Sequence, residues 1–179
     1  VLGGATWLSS AVEAPGLIRQ VSQFRRIVFG ELGGGRSERT QSIYEVLNQT
    51  GITVEVSEDI QKVLWTKLVF ISAVSSVGSL TRMPMGDYRS ISETRSLLAS
   101  IMREVEAVAR AQGVNLDADV VQKWLEFIDD AAPQMKTSLQ LDVETGRRTE
   151  LESMVGVIGR KGRELGVPTP VVDFVYASL

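Results

Sequence analysis

Ser57-Glu-Asp-Ile-Gln-Lys-Val-Leu-Trp-Thr-Lys-Leu-Val-Phe-Ile-Ser-Ala-Val-Ser-Ser-Val-Gly-Ser-Leu80 is the stretch on which the fold turns. Just before it, Ile52-Thr-Val-Glu-Val56 alternates apolar and polar residues, the two-residue period of a half-buried strand. From Ser57 the period becomes helical. Ser57 reads as the N-cap, and Glu58 and Asp59 fall in the first turn, where the helix dipole favours anions. The helix is expected to run to about Leu80 and to stop before Pro84 and Gly86. A boundary near residue 57 therefore divides an α/β part, 1–56, from a helical part, 57–179.

Upstream, two strands are expected around Leu17–Val21 and Arg26–Phe29. Gly33-Gly-Gly35 reads as a turn, and a helix starting at Ser37 has Ile43, Tyr44, Val46 and Leu47 as its apolar face. The order strand, strand, helix, strand is that of the closing part of an α/β sheet. Downstream, helices are expected at Ser92–Gln112, Asp117–Ala132, Thr149–Gly166 and Val171–Leu179, with no strand after Val56. Val1 falls in what reads as a strand and is not Met, so the chain is read as a fragment.

Composition narrows the chemistry. There is no Cys and no His. Thiolate catalysis, a Ser-His-Asp triad and an H-E-x-x-H site are excluded, and no metal site is expected. Proton transfer falls to Lys, Glu, Asp, Tyr or water. With 19 basic and 22 acidic residues the net charge is −3, which argues against nucleic acid as a partner. The longest apolar run, Leu68–Leu80, has 13 residues and four serines, so no membrane association is expected. The absence of Cys fits a reducing, cytoplasmic setting.

Several constellations could carry chemistry. Lys67 lies among bulky apolar residues, where desolvation lowers a lysine pKa and makes it a usable acid. A lysine snorkelling from the edge of a buried helix is the structural alternative. Its helix face continues through Ile71, Ser75 and Gly78 or Ser79. Thr149 with Glu152 has the spacing of a capping box, which sets Glu150 at the first helical position, suited to accepting hydrogen bonds from hydroxyls. Simple charge complementarity at a helix start is the alternative there. Gly156, Gly159, Gly162 and Gly166 share a helix face, a pattern that favours close packing over ligand binding. Ser138, read as a loop residue, could offer a hydroxyl. Gly33-Gly-Gly35 does not have G-x-G-x-x-G spacing.

Taken together, Ser57-Glu-Asp-Ile with Trp65-Thr-Lys67, the helix Arg103–Val114, and Thr137-Ser138, Asp142 and Gly146-Arg-Arg-Thr-Glu150 resemble the 2-dehydropantoate 2-reductase (ketopantoate reductase) family. Pro15-Gly16, Phe29-Gly30-Glu31 and Gly166-Val-Pro-Thr-Pro170 fit the same pattern. The resemblance covers the chain in order and corresponds to roughly the last three-fifths of a family member.

The resemblance implies a mainly α fold. An all-helical domain, like the C-terminal domain of 6-phosphogluconate dehydrogenase, follows an incomplete Rossmann remnant. It implies an NADPH-dependent reductase of 2-keto acids, with the site between cofactor and helical domains. Lys67 corresponds to the catalytic proton donor. Ser75 and Ser138 correspond to substrate-binding positions, and Glu150 to a residue that contacts substrate or the cofactor ribose. Where ketopantoate-reducing members carry asparagines, this chain has Ile71, Ser75 and Met85, which points away from ketopantoate within the 2-keto-acid class. The fragment itself is expected to be inactive, because the phosphate-binding loop is missing. The alternative implied is a degenerate member whose helical domain serves binding or dimerisation, and a homodimer is among the expected partners.

Overall fold

The computed structural model describes residues 1–8, 10–21 and 24–179. The chain separates into two compact units, Val1–Leu64 and Trp65–Leu179. The division lies inside a helix that begins a few residues after position 57.

The first unit holds a three-stranded sheet in the order β1 (Leu2–Trp7), β4 (Arg26–Glu31), β5 (Thr53–Val56). β1 is antiparallel to β4, with Leu2 opposite Glu31 and Trp7 opposite Arg26. β4 and β5 are parallel and are joined through α1 (Glu38–Asn48). Gly3 and Gly30 are cross-strand partners, and both lie under the fully buried Ile60. A β-carbon on Gly30 would collide with the Ser57 carbonyl, and one on Gly3 would stand 2.9 Å from Ile60. The glycine pair thus lets the head of the next helix rest on the sheet. Ser37 caps α1 in a reciprocal box with Thr40, and its hydroxyl donates to Glu31 at 2.5 Å. Arg39 donates to the same carboxylate. These partners hold the Glu31 pKa down at about 2.

Two expectations for this unit need correction. The expected order of strand, strand, helix, strand leaves out the opening strand, β1, and has no place for β2 (Ser10–Ala14), which forms a separate hairpin with β3 (Leu17–Gln20). Every residue of β2 and β3 is exposed, so no burial pattern marks the hairpin. The expected apolar face of α1 is not a buried face either. Ile43 and Val46 are exposed, and only Thr40 of this helix is fully buried.

α2 (Ile60–Thr81) is capped by Asp59 rather than Ser57: the Lys62 amide donates to Asp59 Oδ1 at 3.0 Å. The Ser57 hydroxyl instead accepts from the Asp59 amide. With 22 residues, α2 is long and apolar enough to cross a membrane by length and composition. Just over half of its most apolar stretch is buried inside the protein, the pattern of a core helix.

From Trp65 onward α2 is the spine of the second unit. Val69, Ala73, Val74 and Val77 are fully buried in one core with Leu98, Ile101, Met102, Val105 and Val108 of α4 (Ser92–Ala111). Burying a side chain of this size contributes about 1.5–3 kcal/mol. α4 ends before Gly113, whose φ of +88° is a conformation that glycine adopts without strain. α5 (Val120–Asp130) begins later than expected, and Arg89 donates to the Ile128 and Ala131 carbonyls at its C-terminal end. α8 (Pro170–Ser178) is capped from another helix: Glu104 of α4 accepts from the Val171 and Val172 amides at 3.0 and 2.8 Å.

Two short helices went unforeseen, α3 (Met85–Ser90) and α6 (Ser138–Glu144). With six and seven residues, neither is long enough to show a helical period. The expected helix from Thr149 also begins differently. A π-helical turn, Glu152–Gly156, precedes α7 (Val157–Leu165). No strand lies beyond Val56 among the described residues, so a helical domain follows a small α/β part.

Candidate functional site

Lys67 sits on the turn of α2 just inside the second unit, half-buried. The turn is fixed by α5. The Trp124 indole donates to the Thr66 carbonyl at 2.9 Å, and its ring stacks on Phe70 at 4.5 Å. Phe127 meets both rings edge-on. Burial lowers the Lys67 pKa from the ordinary lysine value, because water no longer fully solvates the ammonium. A lysine in this state gives up its proton more readily than one in water.

The face that starts at Lys67 changes character along the helix. Ile71, one turn on, is half-buried and packs against the core. Ser75 is fully buried, and its hydroxyl has no hydrogen-bond partner among the described residues. The same holds for Ser76 and Ser79, whereas the Ser72 hydroxyl donates to the Met154 carbonyl at 3.0 Å.

Ser138 is not a loop residue. It is the first residue of α6, capped by Thr137, whose hydroxyl accepts from the Gln140 amide. Its side chain is exposed. The helix is clamped by Lys136, which pairs with Glu144 at 2.8 Å, and Gln140 Nε2 donates to Glu144 and to the Met83 carbonyl. Both of those partners are acceptors, so the amide nitrogen must face them. The carbonyl oxygen therefore faces Gly78, where a β-carbon would collide with it.

Glu150 lies just before the π-helical turn, whose N-cap is Leu151, and is not the first helical residue. Its carbonyl accepts from the Ser153 and Met154 amides at 3.1 and 3.0 Å. The Thr149–Glu152 capping box does not form, because the Glu152 carboxylate is engaged elsewhere, by the Tyr176 hydroxyl and Arg160. The Glu150 side chain is exposed in a shallow depression lined also by Arg148, Thr149, Glu152 and Ser153.

The structure thus ties the segments of Ser138 and Glu150 to one helix. The Glu150 segment reaches α2 through Met154 and Ser72, and the Ser138 segment through Gln140 and Gly78. The glycine stripe serves packing. β-carbons at Gly156, Gly159 and Gly162 would run into Tyr176, Asp173 and Thr169, in or next to α8. Gly166 ends α7 at φ +68°.

Sequence reasoning missed Gln140 and the π-helical turn. Gln140 looked like any polar residue, and a π turn changes no residue type. Such turns are rare and are frequent near functional sites.

Comparison with known proteins places the chain in a family. The family description "Ketopantoate reductase PanE/ApbA C terminal" matches residues 59–179. An uncharacterized oxidoreductase of Bacillus subtilis (strain 168) is 31% identical over 179 residues, 100% of this chain and 59% of that protein. A 2-dehydropantoate 2-reductase of Mesorhizobium japonicum is 31% identical over 99% of this chain and 53% of its own length. The crystal structure of 2-dehydropantoate 2-reductase from Methylococcus capsulatus superposes with a TM-score of 0.89 at 30% identity, covering 98% of this chain and 56% of that one. The chain spans between 53% and 59% of the length of these relatives. On these matches, the chain belongs to the ketopantoate reductase family, and residues 59–179 correspond to its C-terminal region.

Proposed function

We propose that these residues form the catalytic and substrate-binding part of an NADPH-dependent, cytoplasmic 2-keto-acid reductase. The observation that carries this reading is Lys67: a half-buried lysine with a lowered pKa, on a turn held rigid by Trp124 and Phe70. A bound reduced nicotinamide supplies the hydride, and with it two electrons, to the keto carbon. Lys67 donates its ammonium proton to the keto oxygen as that oxygen becomes an alkoxide. The product is the 2-hydroxy acid, and Lys67 recovers a proton from solvent. Desolvation helps here, because the acid must part with its proton near neutral pH.

The donor set around Glu150 fits the ribose-bearing cofactor. An exposed carboxylate accepts from ribose hydroxyls, and Arg148, Thr149 and Ser153 offer a cation and two hydroxyls in the same depression. Of the two serines expected to bind substrate, Ser138 is exposed and is the hydroxyl assigned to it, whereas Ser75 is fully buried and out of a substrate's reach. The 179 residues carry no G-x-G-x-x-G fingerprint, so turnover is assigned to the full-length polypeptide and not to this chain alone.

The test is loss of reduced-nicotinamide absorbance when the full-length polypeptide is mixed with NADPH and a panel of 2-keto acids. Turnover with at least one acid is expected. Cofactor binding with no turnover on any acid contradicts the reading.

A further inference from the structure

We infer that Trp124 is a positioning residue for the proposed reaction: through the Thr66 carbonyl and the Phe70 ring it fixes the turn of α2 that carries Lys67. The inference rests on the assignment of Lys67 as proton donor.

The hydrogen bond falls on the peptide unit to which Lys67 itself belongs. The Thr66 carbonyl carbon is joined directly to the Lys67 nitrogen, so holding that carbonyl holds the root of the lysine. Inside a helix this oxygen accepts from the amide four residues on, and its second lone pair is open to an outside donor. The Trp124 indole takes that place at 2.9 Å, from 58 residues away in the chain.

This turn depends on such a tie. Residues 72–79 of α2 are all buried, so core packing fixes the later turns. Around Lys67 the packing thins: of residues 61–68, only Trp65 is buried. A proton donor must come within hydrogen-bond reach of the keto oxygen, and small displacements are costly. Phe70 adds a second restraint. Three residues after Lys67, it is a neighbour on the helix surface. Its ring stacks on Trp124 and meets Phe127 edge-on at 5.4 Å, so α5 also sets the wall beside the lysine.

α5 is itself a firm abutment. Val120 and Ile128 are buried in the core, and Arg89 donates to the Ile128 and Ala131 carbonyls, both at 2.6 Å. A hydrogen bond from a loosely held helix would position nothing, and this one comes from a helix pinned at its far end.

The test is a double-mutant cycle in the full-length polypeptide, with NADPH and the 2-keto acid it reduces best. Trp124→Phe keeps a ring and removes the indole donor. It is expected to lower kcat by about tenfold, with KM for both substrates changed by less than about twofold. On top of Lys67→Ala, the same substitution is expected to change kcat by less than about twofold, because nothing is left to position. Melting temperatures of all four proteins keep the assays below unfolding. Should Trp124→Phe not fold, Phe127→Leu goes through the same cycle, with a smaller fall that again requires Lys67. An equal fall in both backgrounds, or a fall in neither, overturns the role of Trp124 and leaves the reductase reading standing. A Lys67→Ala protein as active as the unaltered one overturns both.

Discussion

The two units bury their apolar residues to different extents. In the second, Ile101, Val74 and Val105 are wholly buried, and each α4 residue at helical spacing has a partner. In the first, Val12, Ile18 and Val46 are 74%, 69% and 66% exposed. Hydrophobic periodicity is informative where burial enforces it. It follows that the same isoleucine has very different energetic weight in the two places.

The sharpest way to break this comparison is a matched pair of truncations. Ile101→Ala should cost about 2–5 kcal/mol, the transfer and cavity terms of a sealed core. Ile18→Ala should cost less than about 0.5 kcal/mol, since the side chain is already in water. Denaturant unfolding of both variants checks this, and equal losses would erase the distinction between the units.

A smaller effect is expected at the packed glycines. At Gly162 an added methyl stands 2.8 Å from the Val167 carbonyl oxygen and from Thr169 Cγ2. Gly162→Ala gains about 1 kcal/mol in helix propensity. Overpacking costs about 1–3 kcal/mol and is expected to win, because one of the obstacles is backbone. A rise in melting temperature would show that α7 and α8 are more loosely joined than described. Trp124→Phe keeps an aromatic ring near Phe70 but removes the hydrogen bond to Thr66, at a cost of about 1 kcal/mol.

The second unit also holds a group that works against stability. The folded-state pKa of Lys67 is lowered, so between that value and 10.5 the unfolded chain binds more protons than the folded one. Stability should therefore rise with pH through that window. Lys67→Met should raise the melting temperature at neutral pH, and the gain should shrink as pH approaches the ordinary lysine value. A gain that is the same at every pH would show that desolvation of the ammonium is not its source.

How much was legible follows the same division. α2 and α4 were readable because their apolar residues recur on one face and that face is buried. β5 was readable because a half-buried strand alternates. β3 was read as a strand, but its hairpin partner β2 lies wholly at the surface and left no such trace. α3 and α6 are too short for a period, so Ser138 passed for a loop residue. The Lys67–Ile71–Ser75 face could be drawn from helix geometry alone. The approach of Gln140 to Gly78 could not, because it joins residues 62 positions apart in the chain. The capping box at Thr149 failed for a related reason: Glu152 had a better offer from Tyr176, 24 residues away.

The central claim is that Lys67 supplies the proton. Its most direct test is the turnover of Lys67→Ala in the full-length polypeptide, on whichever 2-keto acid the unaltered protein reduces best. The rate constant should fall by about 10²-fold or more, with the fold and NADPH binding intact. A folded, cofactor-binding variant that turns over within a few-fold of the unaltered protein would contradict the account.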